Sequence, residues 1–120
     1  MQTVNILGTE YKVVYKDFNA EPSFEERGID GYCDNLDKVI CVCNMKTYPC
    51  WEKETEQYCE KQEKITLRHE IIHAFLNESG LQDNSVFLGN VGWAKNEEMI
   101  DFFAIQSPKI YKVYEELGII

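Results

Sequence analysis

The only two histidines of the chain stand four residues apart, in Leu67-Arg68-His69-Glu70-Ile71-Ile72-His73-Ala74-Phe75. On a helix of about 3.6 residues per turn, positions four apart lie one above the other on the same face. A helical stretch here presents the imidazoles of His69 and His73 to one point in space. Imidazole nitrogens hold zinc at about 2.0–2.1 Å, and a zinc ion that does chemistry keeps one position open for water. Glu70, next to the first histidine, reaches that water without ligating the ion. A carboxylate in that place is a general base, so these three residues point to hydrolysis by an activated water. The plainer alternative is a helix whose stacked histidines simply cap or pack.

Two histidines alone hold zinc poorly, so a third protein ligand is expected from a later helix. Asn96 reads as the N-cap of a helix over residues 97–106. On it, Glu97 and Asp101 are spaced i and i+4 and share a face. Glu97 can supply the carboxylate ligand, and Asp101 can accept the other ring N–H of a ligating histidine, fixing its tautomer and raising its basicity. Glu98 points about 100° away around the helix and is the alternative ligand if the boundary slips by a residue. Both glutamates also suit the positive end of a helix dipole with no metal at all.

The elements that must position these residues are legible in outline. Val4–Leu7 and Tyr11–Tyr15 are β-prone runs around Gly8-Thr9-Glu10 and predict a hairpin. Residues 17–30, with Pro22 and Gly28, read as a connection or one short helical turn. Gly31–Cys33 and Lys38–Cys43 flank Asp34-Asn35-Leu36-Asp37 and predict a second hairpin, whose return strand is the most β-prone stretch of the chain. A three- or four-stranded sheet, mostly antiparallel, is expected from residues 1–48, and a helical half from 49–120.

Within that second half, a long polar helix is expected to begin near Trp51 or Glu52. Its glutamates form a solvated face, and Ile65, Ile72, Phe75 and Leu76 are placed towards the sheet. Gly80 reads as its C-cap. Residues 80–95 form a long Gly-, Asn- and Asp-rich loop, either a flap over the site or a plain connector. Ser107-Pro108 is expected to cap and start a separate last helix with Ile110, Val113, Tyr114 and Leu117 as its apolar stripe, ended by Gly118.

Composition bounds the function. At 120 residues the chain is expected to be one domain with one modest core. Its net charge of −9 disfavours binding to nucleic acid or to an anionic membrane. No stretch approaches the length of a membrane span, and the amino terminus shows no basic and apolar secretion signal, so a cytoplasmic location is expected. The five cysteines, an odd number, read as reduced thiols and mostly as small buried hydrophobes.

Residues 67–76, followed by Asn96-Glu97-Glu98-Met99-Ile100-Asp101-Phe102-Phe103-Ala104, resemble the small zinc metallopeptidases often found in phages and prophages. More distantly they are similar to peptidase domains of the ImmA/IrrE type. The resemblance covers residues 65–110 well and the amino-terminal sheet weakly. It implies an α+β, zincin-like fold, with a small sheet on a long active-site helix and a helical carboxy-terminal half. It also implies the gluzincin ligand set, in which a downstream Glu is followed four residues later by Asp or Asn, as Glu97 and Asp101 are here.

The expected function is therefore a zinc metallopeptidase acting on a protein or peptide, with one zinc per chain on His69, His73 and Glu97 and with Glu70 as base. The alternative is a zinc-binding regulatory or interaction module that cuts nothing, although such a module has no need of a glutamate at position 70. Tyr111, Tyr114 and Trp93 are unranked candidates for stabilising an oxyanion. A strand at Lys38–Cys43 either takes an extended substrate along its edge or is an interior strand.

Overall fold

The structure, a computed structural model, describes residues 2–81 and 95–120. It is an α+β arrangement of a four-stranded mixed sheet and helices. Strand β1 (Gln2–Ile6) turns into β2 (Thr9–Lys16) through Leu7 and Gly8. Both of these have positive φ, 51° and 94°, the signature of a two-residue primed hairpin turn, and Asn5 Oδ1 accepts from the Gly8 amide at 2.8 Å. The turn is thus tighter than Gly8-Thr9-Glu10, and β2 begins at Thr9. A short 3₁₀ turn and helix α1 (Pro22–Arg27) follow, with Pro22 in the first turn and Gly28 left-handed at the end. Then come β3 (Gly31–Asp34) and β4 (Val39–Cys43).

Strand order is β1-β2-β4-β3. The hairpins pair antiparallel, but β4 inserts beside β2 in parallel, pairing Lys12 with Val39 through Lys16 with Cys43. The sheet is accordingly mixed rather than mostly antiparallel, because a strand joined to β2 through α1 and β3 can return in the same direction. The unbroken apolar run of β4 has its reason in this position. It lies between two strands, and Ile40, Cys41, Val42 and Cys43 are all fully buried.

Helix α2 (Glu56–Glu78) starts later than Trp51 or Glu52, because the hydroxyl of Thr55 caps it, accepting from the Tyr58 amide at 3.1 Å. Leu67, Ile71 and Ala74 meet Ile6, Tyr11, Val13 and Ile40 on one face of the sheet. The stripe Ile65, Ile72, Phe75 and Leu76 is displaced from this contact, and Phe75 is exposed. Phe24, Cys41, Cys43, Met45 and Cys59 form a second cluster. All five cysteines are free thiols, three of them buried.

Helix α3 (Glu97–Glu116) runs unbroken through Pro108 and packs on α2 with Ile100 and Ala104 fully buried. There is no separate last helix. Of its expected stripe only Ile110 is partly buried; Val113, Tyr114 and Leu117 are exposed. Among the described residues, no helix is long and apolar enough to cross a membrane.

Candidate metal centre

Helix α2 turns one face to the sheet and places His69 and His73 on the flank of that face, half-buried. Their ring centroids are 4.9 Å apart. Donor atoms of His69, Glu70 and His73 all lie within 4.8 Å of one another, a group able to hold a metal ion.

Helix α3 brings a fourth and a fifth residue. Asn96 caps it through Oδ1, which accepts from the Met99 amide at 2.9 Å, and this starts the helix so that Glu97 is its first residue. One oxygen of Glu97 lies 3.1 Å from His69 Nε2 and the other 3.2 Å from His73 Nε2. Asp101, one turn on, stands 2.8 Å from His69 Nδ1. A carboxylate only accepts, so Nδ1 carries the proton. In the neutral ring, Nε2 then faces the Glu97 oxygen acceptor to acceptor, a contact that needs a cation or a proton between the two.

The spacings fit a metal ion held between imidazole and carboxylate donors: bonds of about 2.0–2.1 Å at a tetrahedral angle separate two donor atoms by about 3.3 Å, close to the spacing each histidine makes with its own Glu97 oxygen. Two imidazoles and a carboxylate are also a ligand set that zinc takes in hydrolytic sites. Glu98 is exposed and lines neither cleft beside the site.

Glu70 is the most buried member, 6% exposed, with Oε1 3.7 Å from His69 Nε2. Burial first of all pushes its carboxyl up to about 7; the Glu97 and Asp30 charges add to this, and His69 and Arg27 oppose it. Asp30 is fixed by Gln62 Nε2, donating at 2.9 Å, and by the Thr66 hydroxyl, donating at 3.1 Å, one helical turn before Glu70. The chain reaches β3 through Gly31, whose absent side chain is required. A Cβ there would stand 2.5 Å from Thr66 Cγ2 and 3.6 Å from Glu70 Cγ.

Two clefts flank the cluster, of about 700 and 450 Å³, and His69, Glu70, Glu97, Ile29 and Gly31 line both. The larger runs along Tyr32, Cys33 and Asp34 of β3 and past Arg27; the smaller passes Tyr48 and Trp51. Strand β4 is interior, so among the described residues the sheet edge beside the site belongs to β3. Tyr111 and Tyr114 are exposed on α3 and line neither cleft. Trp93 and nearly all of the loop expected over residues 80–95 lie outside the described residues. Arg27, Asp30 and Gly31 escaped sequence reasoning, since only chain packing brings them to α2. Gly31 alone carried a signal, as a glycine opening a β-prone run.

No protein-family model matches the chain, and neither does any curated protein or solved structure.

Proposed function

We propose that this chain is a zinc-dependent metallopeptidase of zincin type that hydrolyses a peptide bond in a protein or peptide. The observation that carries the reading is the carboxylate of Glu97 shared between the two Nε2 atoms, at 3.1 and 3.2 Å, with a buried Glu70 beside them. His69, His73 and Glu97 would hold the zinc, and Asp101 orients His69. When bound, zinc supplies a Lewis acid for the scissile carbonyl and makes water acidic enough to react near neutral pH.

The chain's own residues do the rest. Glu70 takes a proton from the attacking water and returns it to the leaving nitrogen. The outer edge of β3 pairs with no strand among the described residues, and its residues line the larger cleft. An extended peptide added along that edge passes the cluster. The resemblance to phage and prophage metallopeptidases supports the same reading, and the net charge of −9 disfavours a nucleic acid as substrate.

The test is a Glu70→Gln variant with metal content measured by elemental analysis and cleavage followed by mass spectrometry on a peptide library. About one zinc in parent and variant, with turnover falling by about 10²–10⁴-fold in the variant, is the expected result. Zinc in both with identical behaviour in every cleavage assay would instead make the chain a zinc-binding module. No zinc in the parent ends the metal reading.

A further inference from the structure

Pro108 lies inside α3, and proline has no N–H. The carbonyl left without its helical donor is that of residue 104, four positions earlier. Ala104 is fully buried, where an unpaired carbonyl is costly. Arg68, half-buried on α2, donates Nε–H to that same carbonyl. Arg68 immediately precedes His69. Glu97, Ile100, Asp101 and Ala104, spaced i, i+3, i+4 and i+7, lie along the one face of α3 that meets α2.

We propose that Arg68 is a positioning residue: by filling the carbonyl that Pro108 leaves open, it sets the register of α3 on α2 at which Glu97 and Asp101 reach the histidines. A helix with every carbonyl paired internally can slide or rotate over Ile100 and Ala104 with little change in hydrogen bonding. A helix with one open carbonyl has a preferred docking point, where a donor stands opposite it. Pro108 makes the opening and Arg68 supplies the donor, one turn beyond Asp101. The consequence for metal binding rests on the reading of the site given above; the claim about register does not.

The experiment is a double-mutant cycle in the full chain with Arg68→Met, Pro108→Ala and their combination, with Arg68→Lys as the conservative variant. Zinc affinity is measured by chelator competition, and amide exchange along α3 is followed in metal-free protein. In the parent background Arg68→Met is expected to weaken zinc about tenfold or more, with Arg68→Lys recovering most of the loss. Exchange at Ile100–Ala104 should accelerate together with it.

In the Pro108→Ala background the residue 108 amide satisfies the carbonyl, so the same Arg68→Met change should cost several-fold less. That background also keeps the carbonyl paired if Arg68→Met alone fails to fold. A purely structural Arg68 would lower the unfolding temperature and leave the zinc affinity of the folded protein unchanged. Parental zinc affinity in Arg68→Met, or equal losses in both backgrounds, would overturn the proposal. A parent that binds no zinc refutes the metal reading alone; the register claim then falls if α3 exchange is unaltered by Arg68→Met.

Discussion

Helices α2 and α3 supply donors to one cluster, yet they are held in different ways. His69 and His73 on α2 keep 20% and 17% of their side-chain surface exposed, whereas Glu97 and Asp101 on α3 keep 61% and 59%. Helix α2 is fixed along its length, by Thr55 at its start, by Leu67, Ile71 and Ala74 on the sheet, and by Glu78 at its end. Helix α3 buries Ile100 and Ala104, and every residue from Tyr111 onward is exposed. Burying one isoleucine and one alanine is worth on the order of 2–4 kcal/mol, little with which to hold a 20-residue helix. The contrast gives the site a fixed half and a docked half. Local opening, whose free energy follows local contact density, is expected to start at α3.

Removing donor groups from each half tests this contrast between α2 and α3. On the proposed reading, a zinc ion bound with about 10–16 kcal/mol over four positions gains roughly 2.5–4 kcal/mol from each fixed ligand, or about 10²–10³-fold in affinity. His73→Ala is expected to lose that much. Asp101→Ala, which leaves the ligands in place and frees the His69 ring, should lose about 10–100-fold. Glu97→Ala should fall between them, since an exposed carboxylate gives up part of its gain to ordering. Chelator competition on the three variants decides it. A Glu97→Ala loss larger than that of His73→Ala would mean that α3, not α2, is the fixed half.

What was legible in the sequence divides along the same line. His69, Glu70 and His73 belong to one helix, so their spacing alone places them, and Glu97 with Asp101 could be read from an i, i+4 step after a good N-cap. Relations between elements were hidden. The sheet-facing stripe of α2 contains buried Thr66 and Glu70, which break its apolar period and leave Ile65, Ile72, Phe75 and Leu76 as the more regular apolar stripe. Pro108 reads as the start of a helix because the partner that makes its carbonyl gap tolerable, Arg68, is 36 residues away. The hairpin pairing of β3 with β4 was visible, but the insertion of β4 beside β2, which leaves β3 as the edge, is a long-range pairing with no local mark.

Gly31 tests the fixed half directly. A Cβ there would stand 2.5 Å from Thr66 Cγ2, closer than real carbon contacts, and 3.0 Å from the Cys41 carbonyl oxygen, a backbone atom that cannot turn aside as a side chain can. Gly31→Ala therefore has to push β3 away from α2 or tilt Thr66 out of its bond to Asp30. Overpacking of this kind costs about 1–3 kcal/mol. The expected result is a lower urea midpoint at unchanged slope, with Glu70 losing part of its burial. An alanine variant as stable as the parent would show that the sheet-facing side of α2 yields, and the division into fixed and docked halves would lose its basis.

The smallest effect is expected at the far end of α2, where Glu78 accepts from Thr9 Oγ1, Tyr11 Oη and Lys38 Nζ, each at 2.7 Å. These bonds, that from Lys38 first, lower its carboxyl from the ordinary 4.5 to about 2. A lowered folded-state pKa contributes stability that is complete above 4.5 and drains away as pH falls towards 2. Glu70 works in the opposite sense: its raised carboxyl costs stability as pH climbs from the ordinary 4.5 to about 7. Comparing the parent with Glu78→Gln isolates the first effect, because Glu70 is common to both. The difference in urea midpoint should be greatest near neutral pH, shrink below pH 4.5, approach zero near pH 2 and diminish in high salt. A difference that stays constant over that range would mean that Glu78 holds α2 by shape rather than by charge, and the clamp would contribute nothing that acid can release.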